Sequence, residues 1–368
     1  MKLTHVELRR VSLALVAPFR TSYGVEHHRD ALLVRAIGPD SEGMGECVAM
    51  ADPLYTSEYV DAAQDVLKRF LIPRLGPAPI AAAQVAHRLR AVRGHPMAKA
   101  ALEAAVLDAE LRLADQSMGE RLGAVHDRVP SGVSVGMMDS IPELLDTVGG
   151  YLAEGYVRVK LKIGPGWDLD PVMAVRERFG DDLLLQVDAN SAYSLHDARA
   201  LARLDPFGLL LVEQPLAEDD LRGHAELAKL IRTPICLDES ITSARSAAEA
   251  IAIGACRIVN IKPGRVGGFL EAVRIHDLCQ AHGVAVWCGG MLETGIGRSG
   301  NLALAALPGF TLPGDLSASS RYFHRDITAP FQLENGHLRV PTGPGNGAIV
   351  DHNFIAEITT HRETIALG

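Results

Sequence analysis

Charged residues recur at nearly constant intervals in the middle of the chain, each at the end of a short apolar run. From Lys162 onward the intervals are 26, 25, 25 and 24 residues. The residues are Lys160 and Lys162 in RVKLKI, Asp188 in LLLQVDAN, Glu213 in LLLVEQP, Asp238 in PICLDES and Lys262 in RIVNIKPG. If these residues were charged only because each run ends in solvent, acids and bases would occur in no particular order. Here three successive carboxylates lie between lysines. The pattern therefore indicates one site that does chemistry.

The three carboxylates predict a divalent metal site. Like charges that lie together repel one another and need a compensating cation, and an all-oxygen set suits Mg²⁺ or Mn²⁺ better than Zn²⁺. We therefore predict Asp188, Glu213 and Asp238 as metal ligands. Mg²⁺ keeps positions open for water or substrate oxygens, so a substrate carboxylate can complete its shell. The alternative, a salt-bridge network with Lys160 and Lys262, would cost desolvation without conferring chemistry.

A repeated βα unit must position these residues. From Val129 onward, short apolar runs rich in β-branched residues recur about every 25 residues, each followed by a polar turn and a helical pattern. The eight runs are 129–135, 158–163, 183–187, 209–212, 235–237, 257–261, 284–287 and 310–312. They predict an α/β fold of the (β/α)8 TIM-barrel type, with its active site at the C-terminal ends of the strands. Pro308, Pro313 and Pro330 predict a degenerate last unit, because they leave little room for a long final helix.

The placement of the lysines predicts the type of reaction. The second and sixth strands are four apart in a ring of eight, so their ends face each other across the barrel mouth. Side chains alternate along a strand, so Lys160 and Lys162 both point inward, and Lys162 and Lys262 can approach opposite faces of one carbon. A lysine near other cations has its charged form disfavoured and can act as a base, while a metal ion stabilises the enediolate left by proton loss.

Elements outside the barrel predict a second domain. Strand patterns at 3–15, 31–37 and around 45–49 and a helical pattern at 97–113 predict an N-terminal α+β capping domain over residues 1–125, followed by the barrel over 126–320. In the segment 321–368, the dipeptide Asn335-Gly336 between apolar flanks is typical of a hairpin turn. We expect this segment to return to the capping domain and complete it.

Composition excludes several classes of protein. Of the 368 residues, 48% are apolar and 22% charged, which predicts a folded chain with a large core. The net charge of -9, without a basic stripe, argues against nucleic acid as a partner. Residues 1–15 lack the apolar core of a signal peptide, and no apolar run is long enough to span a membrane, so we expect a cytoplasmic protein. Five scattered cysteines without a CxxC pair predict reduced, buried thiols.

Motifs along nearly the whole chain are VAPFRTSYG, ALEAAVLDAEL, KLK, VDAN, VEQP, CLDES, NIKPGRVGG, WCGGMLETGIGR and PGDLSAS. They resemble the muconate-lactonizing subgroup of the enolase superfamily, and within it the N-acylamino acid racemase and o-succinylbenzoate synthase family. The resemblance implies Lys162 and Lys262 as an acid/base pair and the three carboxylates on Mg²⁺, for which Mn²⁺ or Co²⁺ can substitute. It also implies electrostatic support from Lys160 and Asn190, and a homo-oligomer, either an octamer or a dimer.

Further positions are weaker candidates for substrate binding. Arg265 resembles an arginine of racemase-like relatives and could tune Lys262, or it could be a surface arginine after a turn. By their places at strand ends, Ser134, Met291 and Thr294 are candidates for loops that bind substrate. Asp315 and Ser317 in the last unit are candidates as well. The resemblance places Phe19 and Tyr23 in a mobile loop that closes the site from water, although both could equally be packing residues.

The leading hypothesis for function is racemisation of N-acylated, in particular N-succinylated, amino acids by proton transfer through an enediolate. Dehydration by an o-succinylbenzoate synthase of the menaquinone pathway begins with the same intermediate, and the residues permit both reactions. Dipeptide epimerases typically hold the substrate ammonium with an Asp-x-Asp motif, whereas this chain has Asp315 and then Ser317. A small-molecule carboxylate is thus the expected partner. A barrel that only binds or assembles would not explain why five strands end in matched polar residues.

Overall fold

The N-terminal part of the molecule is an antiparallel sheet covered by helices. The computed structural model describes residues 1–21 and 24–367. The strands are β1 (His5–Thr21), β2 (Gly24–Ile37) and β3 (Glu42–Cys47). The helices are α1 (Val60–Val66), α2 (Ile72–Leu75), α3 (Ala82–Leu89), α4 (Pro96–Leu113) and α5 (Met118–Leu122), with a π-helical turn at Leu67–Leu71 between α1 and α2. The three strands and the long helix predicted from the sequence are thus present, with β1 and β2 longer than predicted.

Helix α4 packs unusually close to β3 because both surfaces carry small residues. A Cβ atom built on Gly45 would lie 2.1 Å from the carbonyl oxygen of Ala101, and one built on Gly43 would lie 2.1 Å from the backbone nitrogen of Ala109. Glycine is therefore required on the strand for the helix backbone to approach this closely. The alanine-rich sequence of α4, predicted as a helix from its residue propensities, supplies the matching face.

A curled parallel sheet of seven strands follows in sequence order. Its strands come after the short β4 (Arg128–Pro130), which lies outside it. They are β5 (Gly132–Val135), β6 (Arg158–Lys162), β7 (Leu184–Asp188), β8 (Val212–Glu213), β9 (Ile235–Leu237), β10 (Ile258–Ile261) and β11 (Ala285–Cys288). The helices are α6 (Ile141–Glu154), α7 (Leu169–Phe179), α8 (Ala198–Leu201), α9 (Leu221–Leu230), α10 (Ala244–Ala252), α11 (Pro263–Val266), α12 (Phe269–Ala281) and α13 (Gly295–Ala305). Seven of the eight predicted βα units are therefore present.

The eighth predicted strand, 310–312, is wrong as a regular strand. The segment instead forms isolated bridges, from Phe310 to Val286 on β11 and from Gly314 to Ser131 beside β5. The carbonyl oxygen of Gly314 accepts a hydrogen bond of 2.8 Å from the backbone nitrogen of Gly132. Pro313 lacks an N–H and cannot donate to a ladder, which explains the irregular backbone. The segment still contacts both edge strands, as expected of a degenerate last unit.

The C-terminal segment pairs with both earlier parts of the chain. Strand β12 (His337–Arg339) is antiparallel to β4, and after α14 (His352–Glu357) strand β13 (Thr359–Ala366) is antiparallel to β1. The predicted turn is present, with positive φ angles of 50° at Asn335 and 77° at Gly336. Together β1–β3, α1–α5 and β13 form the cap. The domain boundaries after residues 125 and 320 stay predictions.

A buried carboxylate of the cap accepts a hydrogen bond from one of the helices that accompany the curled sheet. Glu103 on α4 accepts a hydrogen bond of 3.1 Å from the backbone nitrogen of Leu270, in the first turn of α12. Carboxylates at this end of a helix satisfy free N–H groups and favour the helix dipole. Burial raises the pKa of Glu103 to about 7, against the lowering effect of the hydrogen bonds from Leu270 and Phe269.

The cysteines and the helices bear on two predictions from composition. All five cysteines are buried and none forms a disulfide in the described parts of the chain, as predicted. Across residues 1–21 and 24–367, no helix has both the length and the apolar character needed to cross a membrane.

Candidate active site

Strand register brings the three predicted metal ligands to one end of the curled sheet. Asp188 on β7 is the direct partner of Glu213 on β8, and Glu213 is the partner of Cys236 on β9. Asp238 follows Cys236 by two residues, and residues two apart on an extended chain point to the same side. All three carboxylates are at most 1% exposed. They therefore share the inner face at the C-terminal ends of three neighbouring strands.

Lys160 is surrounded by acids and an aromatic ring. Its Nζ lies 3.0 Å from Oδ2 of Asp188, 2.9 Å from Oε2 of Glu213 and 2.6 Å from Oδ2 of Asp315. It also lies 4.9 Å from the ring centroid of Trp287, a distance typical of a cation–π contact. Lys160 thus places a fixed positive charge between two of the predicted metal ligands.

Lys162 is held by residues of the neighbouring strand and of the turn that follows it. Its Nζ donates hydrogen bonds to Oδ2 of Asp188 at 2.6 Å and to Oδ1 of Asn190 at 2.5 Å. The side-chain amide of Asn190 in turn donates to Oε1 of Glu239 at 2.9 Å. Asn190 has a φ of 40°, a left-handed conformation that Asn tolerates better than most residues. The amide of Asn190 therefore links Lys162 to a second buried acid.

Lys262 lies four strands away from Lys162, directly after β10. Its Nζ donates hydrogen bonds to Oδ2 of Asp238 at 2.7 Å and to the hydroxyl of Tyr55 at 2.9 Å. Lys162 and Lys262 both line a small, largely enclosed cavity of about 40 Å³. The two amines therefore reach one cavity from widely separated strands.

The pKa of Lys262 differs from the expectation of a lowered value. Burial lowers the pKa of Lys262, but the facing Tyr55, Glu239 and Glu213 outweigh it and raise its pKa overall. Acids, rather than cations, thus dominate the surroundings of this lysine. The pKa of Glu213 is raised by burial and by repulsion from Asp188, against the lowering effect of the three lysines.

The donor set fits a divalent cation by its chemistry. Asp188, Glu213 and Asp238 offer carboxylate oxygens from one face, which is the ligand type that Mg²⁺ prefers. In the described ranges, no three Asp, Glu, His or Cys side chains are already grouped as a metal cage. Instead, Lys160 bridges Asp188 and Glu213, while Lys262 and Arg265 contact Asp238. A metal ion would compete with these cations for the same oxygens.

Four of the weaker candidates line the cavity with the lysines. They are Phe19, Ser134, Met291 and Asp315. Phe19 packs edge-to-face on Tyr322, with 6.4 Å between the ring centroids, and so brings β1 over the cavity. Asp315 is also paired with Arg158, at 2.7 Å between Oδ1 and Nη1.

Arg265 is a buried arginine, not a surface one. It is 1% exposed. Its guanidinium contacts Asp238 and donates to the carbonyl oxygens of Ile241 at 2.9 Å and Asn260 at 2.6 Å. Arg265 therefore lies next to the carboxylate that holds Lys262.

Besides Arg265, two candidates do not line the cavity. The Thr294 hydroxyl donates to Oε2 of Glu46 at 2.6 Å and its oxygen accepts from the backbone nitrogen of Ile296, so Thr294 caps α13. Ser317 is fully buried, with its Oγ 3.5 Å from the carbonyl oxygen of Gly132. Tyr23 lies outside the described residues.

Sequence reasoning missed several residues at the site, among them two tyrosines and an acid. Tyr55 and Tyr322 line the cavity, and Glu239 supports Asn190. Tyr55 lies in an irregular connection of the cap, and no motif marks it. Glu239 was within reach, because it directly follows Asp238 in the CLDES motif.

Comparisons with known proteins show which families this chain resembles. Residues 143–354 match the family model described as Enolase C-terminal domain-like. An N-succinylamino acid racemase from Amycolatopsis sp is 66% identical over 361 residues, covering 98% of each chain. An o-succinylbenzoate synthase from Geobacillus kaustophilus is 46% identical over 98% of this chain and 96% of its own.

Solved structures show the same relationship. A member of the enolase superfamily from Listeria innocua Clip11262 superposes with a TM-score of 0.96 at 40% identity, covering 100% of both chains. The family model covers more than half of this chain, and the relatives match along almost all of it. The chain therefore belongs to the enolase superfamily and, within it, to the family of N-acylamino acid racemases and o-succinylbenzoate synthases.

Proposed function

We propose that this enzyme racemises N-acylated amino acids, in particular N-succinyl amino acids, by moving the α-proton between two lysines. The observation that carries the proposal is that Lys162 and Lys262 line one cavity from strands four apart in the sheet. A substrate α-carbon between them has one amine on each face. That arrangement suits inversion, because a proton removed from one face must be replaced from the other.

The two lysines must begin each turnover in opposite protonation states. The neutral lysine removes the α-proton, and the ammonium of the other lysine delivers a proton to the opposite face of the resulting enediolate. After one inversion the states are exchanged, so the reverse direction uses the same pair.

Negative charge on the enediolate needs nearby positive charge. Asp188, Glu213 and Asp238 would hold a divalent metal ion, which supplies electrostatic stabilisation of that charge when bound. Enolase-superfamily sites commonly combine a Lys or His base with one or two Mg²⁺ ions. Lys160 adds a fixed ammonium beside the same carboxylates.

The segment after β11 favours an acylated nitrogen over a free ammonium. Asp315 is the acid of this segment that lines the cavity, but Lys160 and Arg158 already neutralise it. Ser317, two residues on, carries no charge. An uncharged acyl amide avoids the cost of burying an ammonium without a counterion.

A second candidate function is o-succinylbenzoate synthesis. Dehydration needs one base and a nearby cationic lysine after the proton is removed, and Lys162 and Lys262 can supply both. The relative of that name, at 46% identity, supports this activity alongside racemisation.

A comparison of substrates tests the proposal. Both enantiomers of several N-succinyl amino acids and the o-succinylbenzoate precursor are incubated separately with enzyme and Mg²⁺, and kcat/KM is compared. We expect racemisation of the N-succinyl amino acids. The Lys162→Ala/Lys262→Ala double variant is the control and should lack both activities. Turnover of the precursor without any racemisation would replace the proposed racemase by a synthase.

A further inference from the structure

The two lysines are held by different parts of the chain. Lys162 contacts Asp188 and Asn190, which both belong to the curled sheet and its turns. Lys262 contacts Asp238 of the curled sheet and, in addition, Tyr55 of the cap. We propose that Tyr55 is a positioning residue for Lys262, so that the cap supports only one of the two proton transfers. The inference rests on the proposed two-lysine racemisation.

Tyr55 fixes the direction of the Lys262 amine. The Tyr55 hydroxyl accepts a hydrogen bond of 2.9 Å from Nζ of Lys262 and lies 3.5 Å from Oδ2 of Asp238, to which it donates. Nζ of Lys262 also lies 4.8 Å from the centroid of the tyrosine ring. A lysine amine on a four-carbon stem is otherwise free to rotate. Asp238 and Tyr55 each accept one N–H bond of the Lys262 ammonium. The third N–H is therefore left to point into the cavity.

The connection that carries Tyr55 is tied down at both ends. Glu58 accepts hydrogen bonds from the backbone nitrogens of Met97 at 2.7 Å and Ala98 at 3.1 Å, at the start of α4. The backbone nitrogen of Val60 donates to the carbonyl oxygen of Met50 at 2.9 Å. Tyr55 itself is buried. The phenol is thus presented to Lys262 from a fixed position, as a positioning role requires.

No comparable contact from the cap reaches Lys162 among the hydrogen bonds of the described residues. The support of Lys162 continues from Asn190 to Glu239, which is again part of the curled sheet. A tyrosine that only packs against the cavity wall would affect both lysines, whereas a positioning residue for Lys262 would affect one. The two roles therefore predict different effects of a Tyr55 substitution on the exchange rates of Lys162 and Lys262.

The test measures α-proton exchange in D₂O by NMR in single-lysine backgrounds. The probes are the two pure enantiomers of one N-succinyl amino acid with Mg²⁺. In the Lys162→Ala background, exchange depends on Lys262, and adding Tyr55→Phe should slow it about tenfold or more, as expected for loss of a hydrogen bond to a charged group. In the Lys262→Ala background, exchange by Lys162 should slow clearly less on adding Tyr55→Phe, because the Tyr55 hydroxyl then acts only through Asp238 and Arg265 and no longer directs the reacting amine.

A matched variant controls for removal of a phenol hydroxyl from this connection. Tyr59→Phe changes a tyrosine four residues further on, which is 37% exposed, and it should leave exchange in both backgrounds unchanged. Equal slowing by Tyr55→Phe in both backgrounds, or slowing in neither, would overturn the inference while the racemase proposal stands. Absence of exchange of either enantiomer by the wild-type enzyme would overturn the proposed function and this inference with it.

Discussion

Asp315 and Lys160 form a buried ion pair, with 2.6 Å between Oδ2 and Nζ. The same carboxylate also pairs with Arg158 at 2.7 Å. Two cations thus share one acid beside the predicted metal ligands. Burial raises the pKa of Asp315, but Lys160 and Arg158 outweigh it and hold the pKa well below its usual range.

Replacing this acid should destabilise the fold. Asp315→Asn leaves Lys160 and Arg158 buried with less compensation, and removing one partner of a buried ion pair typically costs about 3–5 kcal/mol. Urea unfolding of the variant and of the wild type measures the loss. Asp139→Asn is the control, because its pair with Arg20 is exposed and such pairs contribute about 0–1 kcal/mol. Similar small losses for both variants would contradict a structural role for Asp315.

Each lysine should serve one enantiomer of the substrate. Lys162→Ala or Lys262→Ala should abolish racemisation, because every inversion uses both amines. The remaining lysine should still exchange the α-proton of the enantiomer that faces it. Deuterium incorporation from D₂O, followed by NMR on each pure enantiomer, should show opposite preferences in the two variants. Exchange of the same enantiomer by both variants would rule out the two-base arrangement.

Removal of the divalent metal should abolish turnover. Treatment with EDTA should eliminate racemisation and Mg²⁺ should restore it, because the main stabiliser of the enediolate charge is lost and regained. Asp238→Asn should behave almost like metal-free enzyme, with little recovery on adding Mg²⁺. The measurement is initial rate against free Mg²⁺, and near-normal rates in EDTA would refute the metal assignment.

The substrate nitrogen should be acylated. N-succinyl amino acids should show higher kcat/KM than the matching free amino acids or dipeptides, since Asp315 is already neutralised by Lys160 and Arg158. Polarimetry on the three substrate types with one side chain held constant makes the comparison. Faster turnover of a free amino acid or a dipeptide would show that the site can compensate an ammonium after all.

Stability should fall with rising pH through the titration of Glu103. Its pKa is raised to about 7 by burial, above the value of a free carboxyl, so the folded state binds the proton more tightly than the unfolded state. The stabilisation is therefore complete below about pH 4.5 and lost as the pH rises through about 7. Relative to Glu103→Gln, the wild-type free energy of unfolding should fall by about 2–3 kcal/mol over this window.

Urea unfolding at several pH values between 5 and 8 measures this dependence. Glu120→Gln is the matched control in the cap. Hydrogen bonds from the Ser117 backbone nitrogen and hydroxyl lower the pKa of Glu120, so its titration lies below this window and its difference from wild type should be flat. A difference between wild type and Glu103→Gln that does not change with pH would contradict the raised pKa.

The regular spacing of charged residues predicted that the carboxylates at the ends of neighbouring strands lie side by side. Asp188 and Glu213 pair directly across β7 and β8, because each ends a βα unit of nearly equal length. The apolar run alone wrongly predicted a regular eighth strand, whereas Pro313, which interrupts regular pairing, indicated the degenerate last unit. Thr294 was predicted from its place after β11, but the N-terminus of α13 and Glu46 use its hydroxyl.

Contacts between distant parts of the chain were beyond sequence reasoning. Tyr55 meets Lys262 across 207 residues of sequence, and only the docking of the cap on the curled sheet brings them together. The burial of Arg265 depends in the same way on tertiary packing, because Asp238 and the carbonyl oxygen of Ile241, both from an earlier segment, satisfy its guanidinium.

The pairing of β13 with β1 has a consequence for biosynthesis. His5 is the partner of Ala366, so one side of the first strand has no neighbour until the ribosome has made residues 359–366. During that time β1 presents a row of unpaired N–H and C=O groups, which is a template for pairing with another nascent chain. Contacts of such large sequence separation also form slowly. Strand β13, which is translated after β1–β12, is thus the one that shields β1 from aggregation.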